Sequence, residues 1–146
     1  MKLTKELIMD TVGFTCSTFD LLHSGHVSML RNAKKHCDYL IVGLQVDPSI
    51  DRSSKSKPVQ SLVERYTQLK GISYVDEIIP YVTESDLEEL LSMYDIDVRI
   101  LGEEHKLLNF TGKAICQNRE IKCYFNERAH KFSSSELKQR ITNSEK

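Results

Sequence analysis

Two histidines with a glycine between them follow an apolar run near the start of the chain, in the sequence Thr18-Phe19-Asp20-Leu21-Leu22-His23-Ser24-Gly25-His26. The apolar run at residues 11–16 predicts a buried strand, and apolar residues recur at helical spacing after His26. Both histidines are therefore expected at a strand-to-helix junction. A helix N-terminus favours an anion, and imidazole N–H groups can follow charge that develops on a phosphoryl group. The pattern predicts a phosphate-binding site.

A second group of polar side chains lies near the end of the chain. Arg128 is a cation suited to phosphate oxygens, and three consecutive serines, Ser133, Ser134 and Ser135, open a segment of helical period. Ser133 and Glu136 have the spacing of a capping box, which predicts a helix N-terminus. A surface ion pair and an N-cap would explain these residues without a ligand. As a binding group, they predict a second anion site.

Apolar runs that predict strands alternate with segments of helical period. The runs lie at residues 11–16, 39–46, 77–81, 98–101 and 121–125. This alternation predicts an α/β fold in which a parallel five-stranded sheet carries helices on both faces. Ligands of such sheets bind outside the carboxyl ends of the strands. The histidine run, the residues after the fourth strand and the Arg128 segment are therefore expected to share one crevice.

The composition limits the class of protein. The 146 residues suffice for one domain, and 20 basic against 21 acidic residues provide no basic field for nucleic acid. Four cysteines without a C-x-x-C pair predict free thiols in a reducing compartment. No apolar stretch approaches the length of a membrane span. We therefore predict a cytoplasmic protein without nucleic-acid or membrane partners. The dinucleotide-binding glycine fingerprint and the P-loop are also absent, so side chains and helix ends must hold any phosphates.

Both polar groups resemble motifs of one superfamily. Residues 23–26 resemble the His-x-Gly-His signature of the nucleotidyltransferases, and the preceding Thr-Phe-Asp resembles their cytidylyltransferase branch. Residues 128–135 are similar to the Arg-Thr-Glu-Gly-Ile-Ser-Thr-Thr segment of that branch. Residues 74–80 and 95–104 also look like stretches of the small bacterial glycerol-3-phosphate cytidylyltransferases. The resemblance extends from about residue 11 to residue 141.

This resemblance implies a Rossmann-like single domain at residues 11–146, preceded by an N-terminal extension at residues 1–10. It implies transfer of CMP from CTP to a phosphorylated small alcohol, with glycerol 3-phosphate as the first acceptor to test and Mg²⁺ bound with the nucleotide. Related enzymes are commonly homodimers, so a homodimer is expected. They also place a lysine from the loop after the second strand on the nucleotide phosphates. In this chain the loop, residues 47–61, is polar and typical of a lid or a solvated connector, and either Lys55 or Lys57 would be that residue.

The resemblance also implies roles for individual residues. The expected catalytic residues are His23, His26, Lys55, Lys57 and Arg128. The expected nucleotide-binding residues are Thr18, Phe19, Asp20, Gly25, Gly102, Arg128, Ser133, Ser134 and Ser135. Arg65 and His105 are expected near the acceptor. No resident metal is expected, because a helix does not place Asp20, His23 and His26 on one face.

The chain departs from the cytidylyltransferase pattern at three positions. Ser17 and Lys131 stand where the branch usually has glycine, and His130 stands in place of a glutamate. Two alternatives therefore remain open beside cytidylyl transfer. One is an adenylyltransferase of the same fold that makes an ADP-sugar or a dinucleotide cofactor. The other is a nucleotide-binding domain without turnover.

Overall fold

Five strands and five α-helices alternate within the part of the chain that the computed structural model describes, residues 10–128 and 132–145. The strands are β1 (Val12–Ser17), β2 (Tyr39–Gln45), β3 (Glu77–Tyr81), β4 (Val98–Gly102) and β5 (Lys122–Asn126). The helices are α1 (Ser24–Lys34), α2 (Leu62–Lys70), α3 (Glu84–Met93), α4 (Lys113–Asn118) and α5 (Ser134–Ser144), and a short 3-10 helix covers Glu103–His105. Every predicted strand is present, and its bounds differ by no more than one residue at either end.

The strands form one parallel sheet in the order β3-β2-β1-β4-β5. The predicted α/β fold with a five-stranded parallel sheet is confirmed. Strand order reverses between β1 and β4, so the connections leaving these two strands diverge and open a crevice at their carboxyl ends. The predicted N-terminal extension lies almost wholly outside the described residues, since the description begins at Asp10.

Helices cover both faces of the sheet, and each face has its own apolar cluster. Leu30 and Ala33 of α1 and Leu69 of α2 pack with Val42 and Ile100 on one face. On the other face, side chains of α3 and α4 pack against β1 and β2, and the buried residues there include Phe14, Ile41, Leu87, Leu91 and Cys116. Helix α5 contributes no buried residue to either cluster.

Local sequence explains where the helices begin. Ser61 and Glu64 form a capping box at α2, and Thr83 and Asp86 form another at α3, so both helices start where the N-terminal backbone donors gain side-chain acceptors. The helix of the histidine run begins differently, because a histidine serves as its N-cap. None of the helices within the described ranges combines the length and apolar composition needed to span a bilayer.

Candidate active site

The two histidines of the motif lie against each other at the N-terminus of α1. Their rings stack with centroids 4.0 Å apart and an angle of 30° between the ring planes. His23 is the N-cap, and its Nδ1 accepts the Gly25 N–H at 3.0 Å. His26 reaches back, so that its Nδ1 accepts the His23 N–H at 3.2 Å. This is a capping box made of imidazoles, a variant of the usual serine and glutamate pair.

The backbone contacts fix the tautomer of both rings. A nitrogen that accepts an N–H hydrogen bond carries no proton, so Nδ1 of His23 and of His26 is the bare nitrogen. The proton of each neutral imidazole is therefore on Nε2, which can donate it to an anion. The two rings thus combine a structural role at Nδ1 with a donor at Nε2.

Two residues of the turn before the helix have a left-handed backbone. Phe19 has φ 52° and Leu21 has φ 53°, a conformation that costs energy for residues other than glycine. The Phe19 side chain is 1% exposed, and its ring centroid lies 5.4 Å from that of His26. Phe19 was expected to bind nucleotide. The structure instead places it in the apolar core, where it supports the His26 ring.

Asp20 ties the polar loop to the histidine motif. Its two carboxylate oxygens accept the backbone N–H groups of Val59 at 2.8 Å and Gln60 at 2.9 Å. Gln60 returns the contact, because its side-chain oxygen accepts the Leu21 N–H at 2.8 Å. Both carboxylate oxygens are thus engaged with backbone, which assigns Asp20 to positioning the end of the loop.

Arg65 holds the backbone next to the histidine motif and the polar loop. It is 2% exposed and donates to the carbonyl oxygens of Thr18 at 3.0 Å and Gln45 at 2.7 Å, with further bonds to the carbonyls of Val46 and Gln60. Burial lowers the pKa of its guanidinium. Arg65 was expected near the acceptor; its side chain does not line the crevice and instead binds backbone carbonyls beside it.

A crevice of about 790 Å³ opens at the carboxyl ends of the strands. It brings together most of the residues expected from the motifs: Thr18, His23, Gly25, His26, Lys55, Gly102, His105, Arg128, Ser133, Ser134 and Ser135. Phe19, Asp20, Lys57 and Arg65 do not line it. Of the two loop lysines, the structure therefore places Lys55 rather than Lys57 in the crevice. His105 lies at its rim, where Nε2 is 3.8 Å from a carboxylate oxygen of Glu104.

The serine-rich helix closes one side of the crevice. Ser133 caps α5 by accepting the Glu136 N–H at 3.0 Å, as its spacing predicted. Ser134 donates from Oγ to the carbonyl oxygen of Asp20 at 3.0 Å, which joins this helix to the histidine motif. Arg128 donates to the Phe132 carbonyl at 2.6 Å. Residues 129–131, which include two of the departures from the family pattern, lie outside the described residues.

The opposite wall of the crevice is polar, and the sequence motifs did not predict its residues. Glu84 lies at the start of α3 and accepts from Gln45 Nε2 at 3.2 Å and from Thr111 Oγ1 at 2.9 Å. Arg52 donates from Nη2 to Gln45 Oε1 at 3.2 Å. Arg99, 4% exposed, reaches the same wall from β4 and donates to the Thr111 carbonyl. The sequence feature that could have indicated Arg99 was its position inside an otherwise apolar strand run.

Cys16 is the thiol that this wall presents to the crevice. Burial raises its pKa, and burial likewise raises the pKa of the neighbouring Tyr81 hydroxyl. Both groups therefore stay protonated near neutral pH. The raised pKa argues against Cys16 as an activated nucleophile, since the thiolate is the reactive form.

Within the described residues, no group of three or more His, Cys, Asp or Glu side chains could hold a metal ion. The carboxylate nearest the histidine motif in sequence, Asp20, spends its two oxygens on backbone N–H groups. Mg²⁺ commonly binds through substrate phosphates and retains several waters, so it does not need a protein cage. An Mg²⁺ ion that arrives with a nucleotide would therefore need no carboxylate cluster of this chain, and its binding stays a prediction.

The sequence is similar to those of several proteins named bifunctional protein HldE. Bifunctional protein HldE of Paramagnetospirillum magneticum is 38% identical over 108 residues, which cover 73% of this chain and 22% of that protein. Bifunctional protein HldE of Caulobacter vibrioides is 39% identical over 105 residues, or 71% of this chain and 22% of that protein. This chain thus spans about a fifth of the length of these relatives.

A solved structure supports the fold. The lipopolysaccharide core biosynthesis protein from Thermoplasma volcanium superimposes with a TM-score of 0.64 at 22% identity, over 85% of this chain and 99% of that chain. The family model for cytidylyltransferase-like proteins matches residues 14–140, which include the histidine motif, Arg128 and the three serines. On this match, the chain belongs to the cytidylyltransferase-like family of nucleotidyltransferases.

Proposed function

We propose that this protein transfers a nucleotidyl group from a nucleoside triphosphate to the phosphate of a small hydroxylated acceptor. The observation that carries the proposal is the stacked pair His23 and His26, whose tautomers direct Nε2 donors away from the backbone contacts at the N-terminus of α1. The N-terminus of α5 and Arg128 line the same crevice. These groups together suit a triphosphate.

In the proposed reaction, an acceptor phosphate oxygen uses a lone pair to form a bond to the α-phosphorus of the nucleotide. The bond from that phosphorus to the bridging oxygen breaks, and its electron pair leaves with pyrophosphate. A fully ionised acceptor phosphate has no proton to lose, so no general base is required. Positioning and charge stabilisation supply the catalysis.

Each group has a distinct part in this scheme. The Nε2–H groups of His23 and His26 donate to oxygens of the transferring phosphate, where negative charge shifts during the reaction. Lys55 and Arg128 stabilise the leaving pyrophosphate as cations. When bound with the nucleotide, Mg²⁺ supplies further charge neutralisation. The hydroxyl groups of Ser133 and Ser135 and the first N–H groups of α5 contribute donors to the phosphates.

The observations that bear on the nucleotide favour different bases. The Thr-Phe-Asp run and the Arg128 segment resemble the cytidylyl branch, which supports CTP with glycerol 3-phosphate. The relatives at 38% and 39% identity are HldE proteins and not glycerol-3-phosphate cytidylyltransferases, and Ser17 replaces the glycine usual in that branch. The similarity to HldE favours the adenylyl alternative, in which ATP and a phosphorylated sugar give an ADP-sugar. We propose ATP with sugar phosphates as the pair to test beside CTP with glycerol 3-phosphate.

The test is pyrophosphate release from ATP, CTP, GTP and UTP, each with Mg²⁺ and a panel of glycerol 3-phosphate and sugar phosphates. Release that needs both a triphosphate and an acceptor supports the proposal, and the productive pair identifies the base. The His26→Ala variant is the matched control for contaminating activity. Nucleotide binding without release from any pair would contradict turnover and favour a binding domain. A homodimer and a cytoplasmic location stay predictions.

A further inference from the structure

Arg99 is a buried cation that the nucleotide chemistry above does not use. Strand alternation places its neighbours Val98 and Ile100 in the cluster beneath α1 and α2, so Arg99 projects to the face covered by α3 and α4. The histidine helix packs on the other face. Arg99 therefore enters the crevice from the side of the sheet opposite the histidines.

The described contacts of Arg99 are with a carbonyl oxygen, an aromatic ring and a thiol. Its Nη1 donates to the Thr111 carbonyl, its guanidinium carbon lies 5.2 Å from the centre of the Phe110 ring, and it contacts the Cys16 thiol. Within residues 10–128 and 132–145, no carboxylate forms an ion pair with it. A guanidinium has five N–H donors, and burial of a charge without an opposite charge is costly. The arrangement leaves room for anionic oxygens at this guanidinium.

The neighbouring carboxylate of Glu84 does not form an ion pair with Arg99. Glu84 accepts from Thr111 Oγ1 and Gln45 Nε2, and its nearest guanidinium is that of Arg52, at 4.0 Å. The Nε of Arg52 is buried without a hydrogen-bond partner in the described part of the chain. Arg99, Arg52 and Glu84 together give this wall a net charge of about +1 by formal counting. The wall is therefore suited to an anion.

We propose that Arg99 binds the phosphate of the acceptor, and that Arg52 supports it from the loop. This inference rests on the proposed function. In-line transfer requires the attacking oxygen and the leaving pyrophosphate on opposite sides of the α-phosphorus. The histidines, Arg128 and the α5 N-terminus lie on the triphosphate side, which leaves the Arg99 wall for the attacking group. The substrate class is a small phosphate monoester, and Arg99 is a residue that determines acceptor binding.

The first experiment measures binding without turnover. Inorganic phosphate is titrated into protein that carries His23→Ala and His26→Ala, which weakens the other phosphate site, and ³¹P line broadening reports the affinity. Adding Arg99→Met is expected to weaken phosphate binding at least about tenfold. Arg119→Met is the matched control, because Arg119 donates to the carbonyls of Leu91 and Tyr94 outside the crevice. Equal phosphate affinity in the Arg99→Met and Arg119→Met proteins would overturn the inference.

The second experiment uses steady-state kinetics with the histidines intact. Arg99→Met is expected to raise the acceptor KM at least about tenfold and to leave the triphosphate KM within about twofold, with partial rescue by Arg99→Lys. A rise in the triphosphate KM alone would overturn the assignment. If no acceptor supports pyrophosphate release but phosphate binding still depends on Arg99, the proposed reaction fails while the anion site stands. Melting temperatures of all variants identify a loss of folding.

Discussion

His23 combines two roles that are usually divided between residues. Its Nδ1 caps α1, and the proton that this contact places on Nε2 is the donor proposed for the phosphate. A histidine that only faced a crevice could be replaced without a loss of stability. The capping bond excludes this for His23, since the loss of an N-cap costs about 0.5–2 kcal/mol.

Two substitutions separate the roles of His23. His23→Ala should lower turnover by at least about a hundredfold, as expected for loss of a transition-state donor, and also destabilise the fold by about 1 kcal/mol. His23→Asn should lose similar activity but keep stability, because asparagine is a favourable N-cap. Turnover and urea unfolding of both proteins provide the check. An Asn variant as active as the parent would exclude the donor role.

Residue roles were harder to predict than residue positions. The motif spacing correctly placed His23 and His26 at a strand-to-helix junction, because apolar period marks where elements change. The family resemblance assigned Phe19 and Arg65 to ligands, whereas the structure shows both side chains buried and the Arg65 guanidinium bonded to backbone carbonyls. Arg99 was overlooked because a single sequence does not reveal which face of a strand borders a crevice. Those distinctions arise from tertiary packing.

At the scale of elements, the loop at residues 47–61 is held at its carboxyl end by Asp20. Two backbone N–H groups donate to this carboxylate, at 2.8 Å and 2.9 Å, while the loop brings Lys55 into the crevice. The sequence predicted a lid or a connector here, and it could not predict the anchor. In the sequence, Asp20 is 39 residues from Val59 and 40 residues from Gln60. Local periodicity carries no information about pairs so far apart.

Releasing the anchor should open the loop. Asp20→Ala removes two hydrogen bonds to a charged acceptor, each worth about 1.5–3 kcal/mol, so local opening should increase at least about tenfold. Limited trypsin digestion after Arg52 and Lys55 reports the opening, and saturation with nucleotide should slow cleavage in the parent. Asp38→Ala is the control, because Asp38 accepts the Thr11 N–H before β1, away from the loop. Equal cleavage rates in the Asp20 and Asp38 variants would exclude the anchor.

At the scale of the whole molecule, the apolar core and the crevice depend on different parts of the chain. The members of both apolar clusters lie at or before Tyr124 in the sequence, and α5 has no buried residue. The alternation of strand and helix patterns was sufficient to predict the parallel sheet, because it indicates that helices must cover the apolar faces of the sheet. The strand order, which sets the position of the crevice, depends on contacts between distant segments.

Removal of α5 should therefore separate folding from binding. A chain that ends at residue 132 is expected to unfold cooperatively with a free energy within about 2 kcal/mol of the parent, since it loses little buried apolar area. It should lose nucleotide binding, because α5 supplies Ser133, Ser134, Ser135 and a helix N-terminus to the crevice. Urea unfolding and nucleotide titration test both parts. Unchanged nucleotide affinity would exclude α5 from the triphosphate site. The Ser134→Ala variant tests separately the hydrogen bond from Ser134 to the Asp20 carbonyl.

The hydrogen bond from Ser134 to the Asp20 carbonyl joins residues that are 114 positions apart. During synthesis on the ribosome, the histidine motif emerges long before its partner helix. A nascent chain can form its sheet from completed strands but lacks one side of the nucleotide site until α5 has been synthesised. Chains that terminate between β5 and α5 are therefore expected to be folded and inert, so such a translation error would yield a product that does not sequester nucleotide.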